Sequence, residues 1–216
     1  MACAHRERID KLTKTLVIDF GGKFYMKRAA FLLTAFFALA IAANAQGLAV
    51  GATMDNFSLP DINGKTQTLN DMKGTNGAVI IFVLAQCPVV RAYNDRMNLI
   101  AADYQAKGIN VIGINSNVTE SLNWVKSHAE ATYKFPILID KGSVLADKLG
   151  ASVTPEVYYV DAKNVLLYHG AIDNDRSGRN VTDQFLRTAF DASLAGKKIA
   201  RTSANAFGCT IKRAVE

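Results

Sequence analysis

The chain has 216 residues, half of them hydrophobic, which is enough for one large domain or two small ones with a real core. The formal charge of +6 is concentrated at the start: residues 1–45 carry 7 lysines and arginines against 3 acidic residues, and the remaining 171 residues carry 18 against 16. A domain this close to neutral gives no reason to expect a nucleic-acid partner.

Residues 26–45 have the pattern of a secretory signal peptide. A charged start at Lys27 and Arg28 precedes an apolar run over 29–42, and a small-residue cleavage site ends at Ala45. A membrane anchor is the alternative, although the apolar run is short for a bilayer span. We therefore expect a periplasmic or secreted protein, cleaved after Ala45 and left without a stable membrane span.

Residues 1–25 do not belong to that pattern, because a signal peptide normally starts at the chain terminus. We expect translation to begin at Met26 and residues 1–25 to be an upstream start-site extension, which removes Cys3 from the mature protein. The prediction is then a single domain at 46–216, with two cysteines in a compartment that permits disulfides.

The rest of the chain predicts a series of short strands and helices. A strand at 57–60 and a return strand at 66–68 form a hairpin through the Asn63–Gly64 turn. Further strands are predicted at 78–84, 110–114, 135–139, 156–160 and 165–168, and helices at 70–73, 88–107, 119–128, 144–149 and from 180 or 182 to 195. Strands separated by helices imply parallel pairing, and the closing hairpin adds antiparallel strands. The predicted fold is α/β: a three-layer α/β/α sandwich with a mixed central sheet and an N-terminal β-hairpin.

Two predictions concern helix ends and helix faces within this series. Ser143 is expected to cap the helix at 144–149. The helix at 119–128 is expected to turn Leu122 and Val125 inward, and Trp124 with them.

Cys87 follows the long apolar strand, and Pro88 directly after it suits the first position of a helix. A thiol just before a helix lies near the positive end of the helix dipole, which lowers the thiol pKa and favours the nucleophilic thiolate. The alternative is a buried cysteine that only packs, since free cysteine is among the most buried residue types.

Six segments in this order resemble the thioredoxin-like fold and, within it, the secreted redoxin and AhpC/TSA (peroxiredoxin-like) branch. They are Phe57-Ser-Leu-Pro-Asp61, Cys87-Pro-Val-Val-Arg-Ala-Tyr-Asn-Asp-Arg96, Asn115-Ser-Asn117, Thr154-Pro-Glu-Val157, Gly170-Ala-Ile-Asp173 and Gly208-Cys-Thr-Ile-Lys212. The resemblance covers residues 52–212, and it implies a thiol–disulfide oxidoreductase.

Two departures from the related motifs leave other functions open. Thioredoxins carry Cys-x-x-Cys, and the fourth position here is Val90. Typical peroxiredoxins carry Pro-x-x-x-Thr-x-x-Cys, and the matching positions here are Ile80 and Leu84, so the hydroxyl that holds the peroxide is absent. The alternatives are a thiol peroxidase that reduces hydroperoxides through a Cys87 sulfenate, and a redox-inert binding module. The expected partners are protein or small-molecule disulfides and thiols, hydroperoxides for the peroxidase, and an unidentified thiol reductant.

The resemblance implies roles for both cysteines and for a proline loop. Cys87 would attack a disulfide sulfur, and Cys209, in a tail placed to fold back over the helix start, would resolve the mixed disulfide. A surface thiol or a purely structural disulfide is the alternative for Cys209. Thr154-Pro155 resembles the loop whose cis-proline faces the active thiol, so the Thr154 backbone would pair with an extended substrate.

Further polar residues are candidates with competing interpretations. Glu156 would accept a proton near Cys87, or would lie on a strand with solvent on one side. Asn115 and Asn117, at the carboxyl end of a predicted parallel strand, would bind substrate or orient the loop. Arg91 would stabilise the thiolate, or be solvated at the surface.

Gln86 and Pro88 flank the thiol and are expected to form the rim that binds substrate. His128 and His169 are far apart with no ligand spacing around them, so no metal site is predicted. No glycine-rich phosphate loop appears either, and no cofactor is predicted.

Overall fold

The structure is a computed structural model and describes residues 47–214. The strands are β1 (Ser58–Pro60), β2 (Thr66–Thr68), β3 (Gly77–Val83), β4 (Ile109–Asn115), β5 (Ile137–Ile139), β6 (Val153–Thr154), β7 (Glu156–Val160), β8 (Leu166–Gly170), β9 (Ser203–Ala204) and β10 (Cys209–Thr210). The helices are α1 (Leu69–Met72), α2 (Pro88–Gln105), α3 (Leu122–Thr132), α4 (Val144–Leu149) and α5 (Phe185–Leu194), and a 3-10 turn (Lys141–Ser143) precedes α4. The extension and signal-peptide predictions for residues 1–45 lie outside the described residues.

The main sheet has six strands in the order β5-β4-β3-β7-β8-β9. Strand β3 pairs in parallel with β4 and antiparallel with β7, and all seven of its residues are buried. A strand covered on both faces needs a continuous apolar sequence, and burial of each large side chain stabilises the fold by about 1.5–3 kcal/mol. The mixed sheet and the separate β1–β2 hairpin confirm the predicted architecture.

Helices cover both faces of this sheet. On one face, α2, α3 and α5 bury apolar side chains together with Cys87; we call this cluster the first core. On the other face, α4, Leu69 of α1 and Ile211 of the tail pack with Phe82 and Tyr158 in the second core. Side chains alternate between the faces of a strand, so neighbouring residues of β7 belong to different cores.

Helix α3 begins later than predicted, and this changes which side chains it buries. Ser121 caps it, with its hydroxyl accepting a hydrogen bond from the backbone N–H of Trp124 at 3.3 Å. Val125 is buried as predicted, but Leu122 is 53% exposed and Trp124 is 50% exposed. The prediction for those two is wrong because Val125 and Ala129, four residues apart, already make the inward face.

The predicted cap of α4 is also wrong. The Ser143 hydroxyl donates to the carbonyl of Ser116 at 2.7 Å, and the residue has a φ of 59°. The Asp140 carboxylate instead accepts from the backbone N–H groups of Leu145 and Ala146, each at 3.0 Å. Asp140 satisfies two of the free donors at the helix start, which is the function of a cap.

The C-terminal segment returns to the centre of the molecule after α5. Helix α5 begins at Phe185, later than the predicted 180 or 182. The chain then pairs in parallel with β8 through β9, and antiparallel with β6 through β10. Within residues 47–214, no helix has both the length and the apolarity to cross a membrane.

Candidate active site

Cys87 lies where the central strand β3 passes into helix α2, the longest helix within residues 47–214. It is the N-cap residue of the 18-residue helix α2, and Pro88 occupies the first helical position, as predicted. The cysteine is 1% exposed, and its Sγ is 3.6 Å from the carbonyl oxygen of Thr154. The site therefore brings together a sulfur, a helix N-terminus and the loop before β7.

Cys87 forms a disulfide with Cys209, which is 122 residues further along the chain. Their Cα atoms are 5.9 Å apart, within the range of about 4.4–6.8 Å that a disulfide spans. The predicted fold-back of the tail over the helix start is confirmed. Cys209 itself is half-buried, at the start of the two-residue strand β10.

The Thr154–Pro155 peptide bond is cis, as predicted. The backbone beside it is occupied by the protein's own tail, because Cys209 pairs with Thr154 and Thr210 pairs with Val153. The Thr154 hydroxyl also donates to the Cys209 carbonyl at 3.3 Å. The strand edge predicted for an extended substrate therefore holds residues 209–210 in the oxidised protein.

Asn117 holds the same C-terminal tail at Lys212, beyond strand β10. Its Oδ1 accepts a hydrogen bond from the backbone N–H of Lys212 at 2.9 Å, and the Lys212 carbonyl accepts from Val118 N–H at 3.0 Å. The Asn117 amide also donates to the Val83 carbonyl at 3.3 Å, which ties the loop to the end of β3. These contacts agree with the loop-orienting interpretation; substrate binding by Asn117 stays a prediction.

Asn115 contacts a buried carboxylate, that of Glu120, which the sequence analysis missed. Its amide donates to Glu120 Oε2 at 2.7 Å. The Glu120 carboxylate also accepts from the backbone N–H groups of Ala85 at 3.1 Å and Gln86 at 2.8 Å. Glu120 therefore fixes the loop that presents Cys87. The available signal in the sequence was its position just after a polar loop at the carboxyl end of β4. The sequence analysis instead assigned Glu120 to the predicted helix at 119–128.

Glu156 is buried on the face of the sheet opposite Cys87. It alternates with Val157, which belongs to the first core with Cys87, and it contacts Tyr158 and His169 instead. Burial alone would raise the pKa of the Glu156 carboxyl, but hydrogen bonds from His169 and the backbone N–H groups of Ser152 and Val153 hold it below its usual value. A proton-accepting role toward Cys87 stays a prediction.

Three predicted site residues are exposed around the start of α2. Gln86, Pro88 and Arg91 all face solvent. The backbone N–H of Arg91 donates to the Cys87 carbonyl at 3.0 Å, the first turn of the helix. Their proposed roles in substrate binding and thiolate stabilisation stay predictions.

A polar cluster on α2 brings two of the recognised motifs into contact. Asp173 accepts from the Tyr93 hydroxyl at 2.5 Å and from Arg96 Nη1 at 2.6 Å. Burial and the neighbouring carboxylate raise the pKa of Tyr93, which keeps its hydroxyl a donor. The Tyr93 ring is 6.4 Å from Phe207, whose ring also lies under the guanidinium of Arg176. The cluster therefore holds the chain just before Cys209.

A cavity of about 410 Å³ opens beside the loop that holds the tail. Its lining combines the polar groups of Asn115, Asn117 and Glu120 with the apolar side chains of Leu122 and Val125. Ligand sites are commonly apolar cavities with a few polar groups, and Glu120, which lines this cavity, also holds the backbone of Ala85 and Gln86 just before Cys87.

Comparisons with known proteins agree with this geometry. Residues 50–169 match the AhpC/TSA family. The thiol-disulfide oxidoreductase ResA of Bacillus cereus (strain ZK / E33L) is 28% identical over 121 residues, which are 55% of this chain and 68% of ResA. The crystal structure of a hypothetical protein from Sinorhizobium meliloti 1021 is 33% identical with a TM-score of 0.73, covering 79% of this chain and 98% of that one.

A thioredoxin is also among the similar structures. The exposed lipoprotein thioredoxin of Streptococcus pneumoniae strain TIGR4 is 21% identical with a TM-score of 0.52, covering 63% of this chain and 99% of that one. At this identity the likeness shows the fold alone, and it confirms the predicted thioredoxin-like fold.

Proposed function

This chain belongs to the AhpC/TSA family, and from that premise we propose that it is a thiol–disulfide oxidoreductase whose redox pair is Cys87 and Cys209. The observation that carries the proposal is their disulfide, formed at a helix N-terminus and beside the cis Pro155 loop. The similarity to ResA supports the reaction class.

The tail supplies the second thiol that the Cys-x-x-Cys motif supplies in thioredoxins. The fourth position of that motif, where thioredoxins have the second cysteine, is Val90, a buried core residue that cannot take part in exchange. Disulfide exchange proceeds through a mixed disulfide, and a second thiol within reach is needed to release the bound partner. Cys209 provides that thiol from the far end of the sequence.

The expected partners are disulfides and thiols of proteins or small molecules, with an external thiol reductant closing the cycle. An oxidising compartment fits a protein whose two cysteines are joined as cystine. We place it in the periplasm or outside the cell, and the signal-peptide pattern at 26–45 supports that location.

The proposal is tested by following the reduction of insulin disulfides with dithiothreitol as the electron source. We expect Cys87→Ser and Cys209→Ser each to lose the accelerated reduction, because either change removes the redox pair. Cys3→Ser is the matched control and should keep the wild-type rate, since Cys3 lies outside the predicted mature protein. Full activity in both redox-pair variants would contradict the proposal.

A peroxide assay distinguishes the peroxidase alternative from thiol–disulfide exchange. Leu84 occupies the position of the peroxide-binding threonine, and it is buried and apolar. We therefore expect no Cys87-dependent consumption of hydrogen peroxide with dithiothreitol present. Consumption that Cys87→Ser abolishes would transfer the assignment to the peroxidase.

A further inference from the structure

The two cysteine residues of the disulfide differ in how far they are exposed to solvent. Cys87 is 1% exposed and packs among the apolar side chains of the first core. Cys209 is half-buried, between the half-buried Gly208 and the exposed Thr210. A thiolate must reach the sulfur that it attacks, and access is one of the factors that set the rate of exchange. The geometry therefore favours attack at Cys209.

We infer that partner thiols exchange with Cys209 in the tail and that Cys87 is the resolving thiol, which reverses the roles expected from the sequence. This inference rests on the proposed function. A reductant thiolate forms a bond to Cys209 Sγ, the disulfide breaks, and its electron pair leaves on Cys87 Sγ. A second reductant thiol then attacks the mixed disulfide and releases the Cys209 thiolate. Two electrons pass from the reductant to the protein, and each thiolate takes a proton from water.

The position of Cys87 suits a leaving group. It is the N-cap residue of an 18-residue helix, where the dipole favours negative charge. A thiol whose thiolate is stabilised leaves faster in exchange. Cys209 begins the two-residue strand β10 and does not lie at a helix N-terminus. When the disulfide breaks, the negative charge is therefore left on the Cys87 sulfur.

The tail contacts make the resolving step of the reverse reaction intramolecular. Phe207 is held against the Tyr93 ring on one side of Cys209, and Lys212 is held by Asn117 on the other. With a substrate disulfide, the Cys209 thiolate forms the mixed disulfide and releases one substrate thiolate. Cys87 then attacks Cys209 Sγ and releases the second, at the high effective concentration of a tethered thiol. Two electrons pass from the protein to the substrate.

The first experiment maps the initial point of attack. Oxidised full-length protein carrying Cys3→Ser is mixed with glutathione, quenched with N-ethylmaleimide at several short times, and digested for mass spectrometry. Extrapolated to zero time, we expect glutathione on Cys209 with maleimide on Cys87, in at least about tenfold excess over the opposite pattern. Equal labelling, or glutathione mainly on Cys87, would overturn the inference.

The second experiment traps the substrate complex. Reduced Cys87→Ser should accumulate a mixed disulfide with insulin through Cys209, whereas reduced Cys209→Ser should form at least about tenfold less through the covered Cys87. More complex in Cys209→Ser would overturn the assignment. These outcomes are separate from the proposed function: glutathione on Cys87 in a protein that still reduces insulin would refute only the order of attack.

Discussion

Gly208→Ala tests whether the docked tail controls the redox pair. A Cβ atom at this position would overlap the carbonyl oxygen of Thr154 and would lie 2.7 Å from its carbonyl carbon. Cβ atoms in proteins essentially never approach another heavy atom closer than 3.0 Å. Both atoms belong to the backbone beside the cis-proline, so no flexible side chain can move aside. The tail must shift instead, and Cys209 is the next residue.

The expected cost follows from the disulfide geometry. Its Cα–Cα distance is 5.9 Å, which leaves about 0.9 Å before the upper end of the usual range. Relieving the overlap with the Thr154 carbonyl oxygen takes a displacement larger than this margin, so strain enters the bond or the bond does not form. A typical steric penalty of about 1–3 kcal/mol corresponds to about a 5- to 150-fold fall in the equilibrium constant for disulfide formation.

The assay equilibrates the protein with defined ratios of reduced and oxidised dithiothreitol, quenches it with maleimide, and measures the oxidised fraction by mass. Gly196→Ala is the matched control, because its φ is also positive but nothing lies within 4 Å of the new methyl group. It should lose about 1–2 kcal/mol of stability to backbone strain and keep the wild-type redox equilibrium. An unchanged equilibrium in Gly208→Ala would refute the reasoning.

Three further predictions concern buried carboxylates. Because hydrogen bonds hold the pKa of the Glu156 carboxyl low, its contribution to stability is complete above about pH 4.3 and is lost as the pH falls through the lower pKa of the folded state. In urea titrations, the difference in unfolding free energy between wild type and Glu156→Gln should therefore shrink on acidification. A difference that stays constant with pH would contradict this prediction. Asp173→Asn removes the buried partner of the Arg96 guanidinium and should cost about 3–5 kcal/mol of unfolding free energy. Asp191→Asn changes an exposed carboxylate that accepts from the Tyr104 hydroxyl, and it should cost less than about 1 kcal/mol. Equal losses would count against a buried ion pair. Glu120→Gln should cost about 1–3 kcal/mol of unfolding free energy, because one amide oxygen cannot replace two carboxylate oxygens on the backbone N–H groups before Cys87. The exposed Glu130→Gln should match wild type in chemical denaturation, and an unchanged stability in Glu120→Gln would rule out that support.

The order of elements was readable from the sequence because local patterns encode it. A short unbroken apolar run before a turn predicts a strand covered on both faces, and a proline after Cys87 suits the start of a helix. The hairpin at Asn63–Gly64 and the parallel crossovers follow from equally local signals. These features require no knowledge of distant contacts, and the structure confirmed them.

The site depended on contacts between residues far apart in sequence. Nothing local indicates that strand β10 pairs with β6, because two-residue strands have no periodicity of their own. The capping role of Asp140 and the loop-supporting role of Glu120 arise only when separate segments meet. The sequence by itself determined which sulfur precedes a helix; tertiary structure decided that this sulfur is covered by Cys209, because burial is a property of the packed chain and not of any one segment.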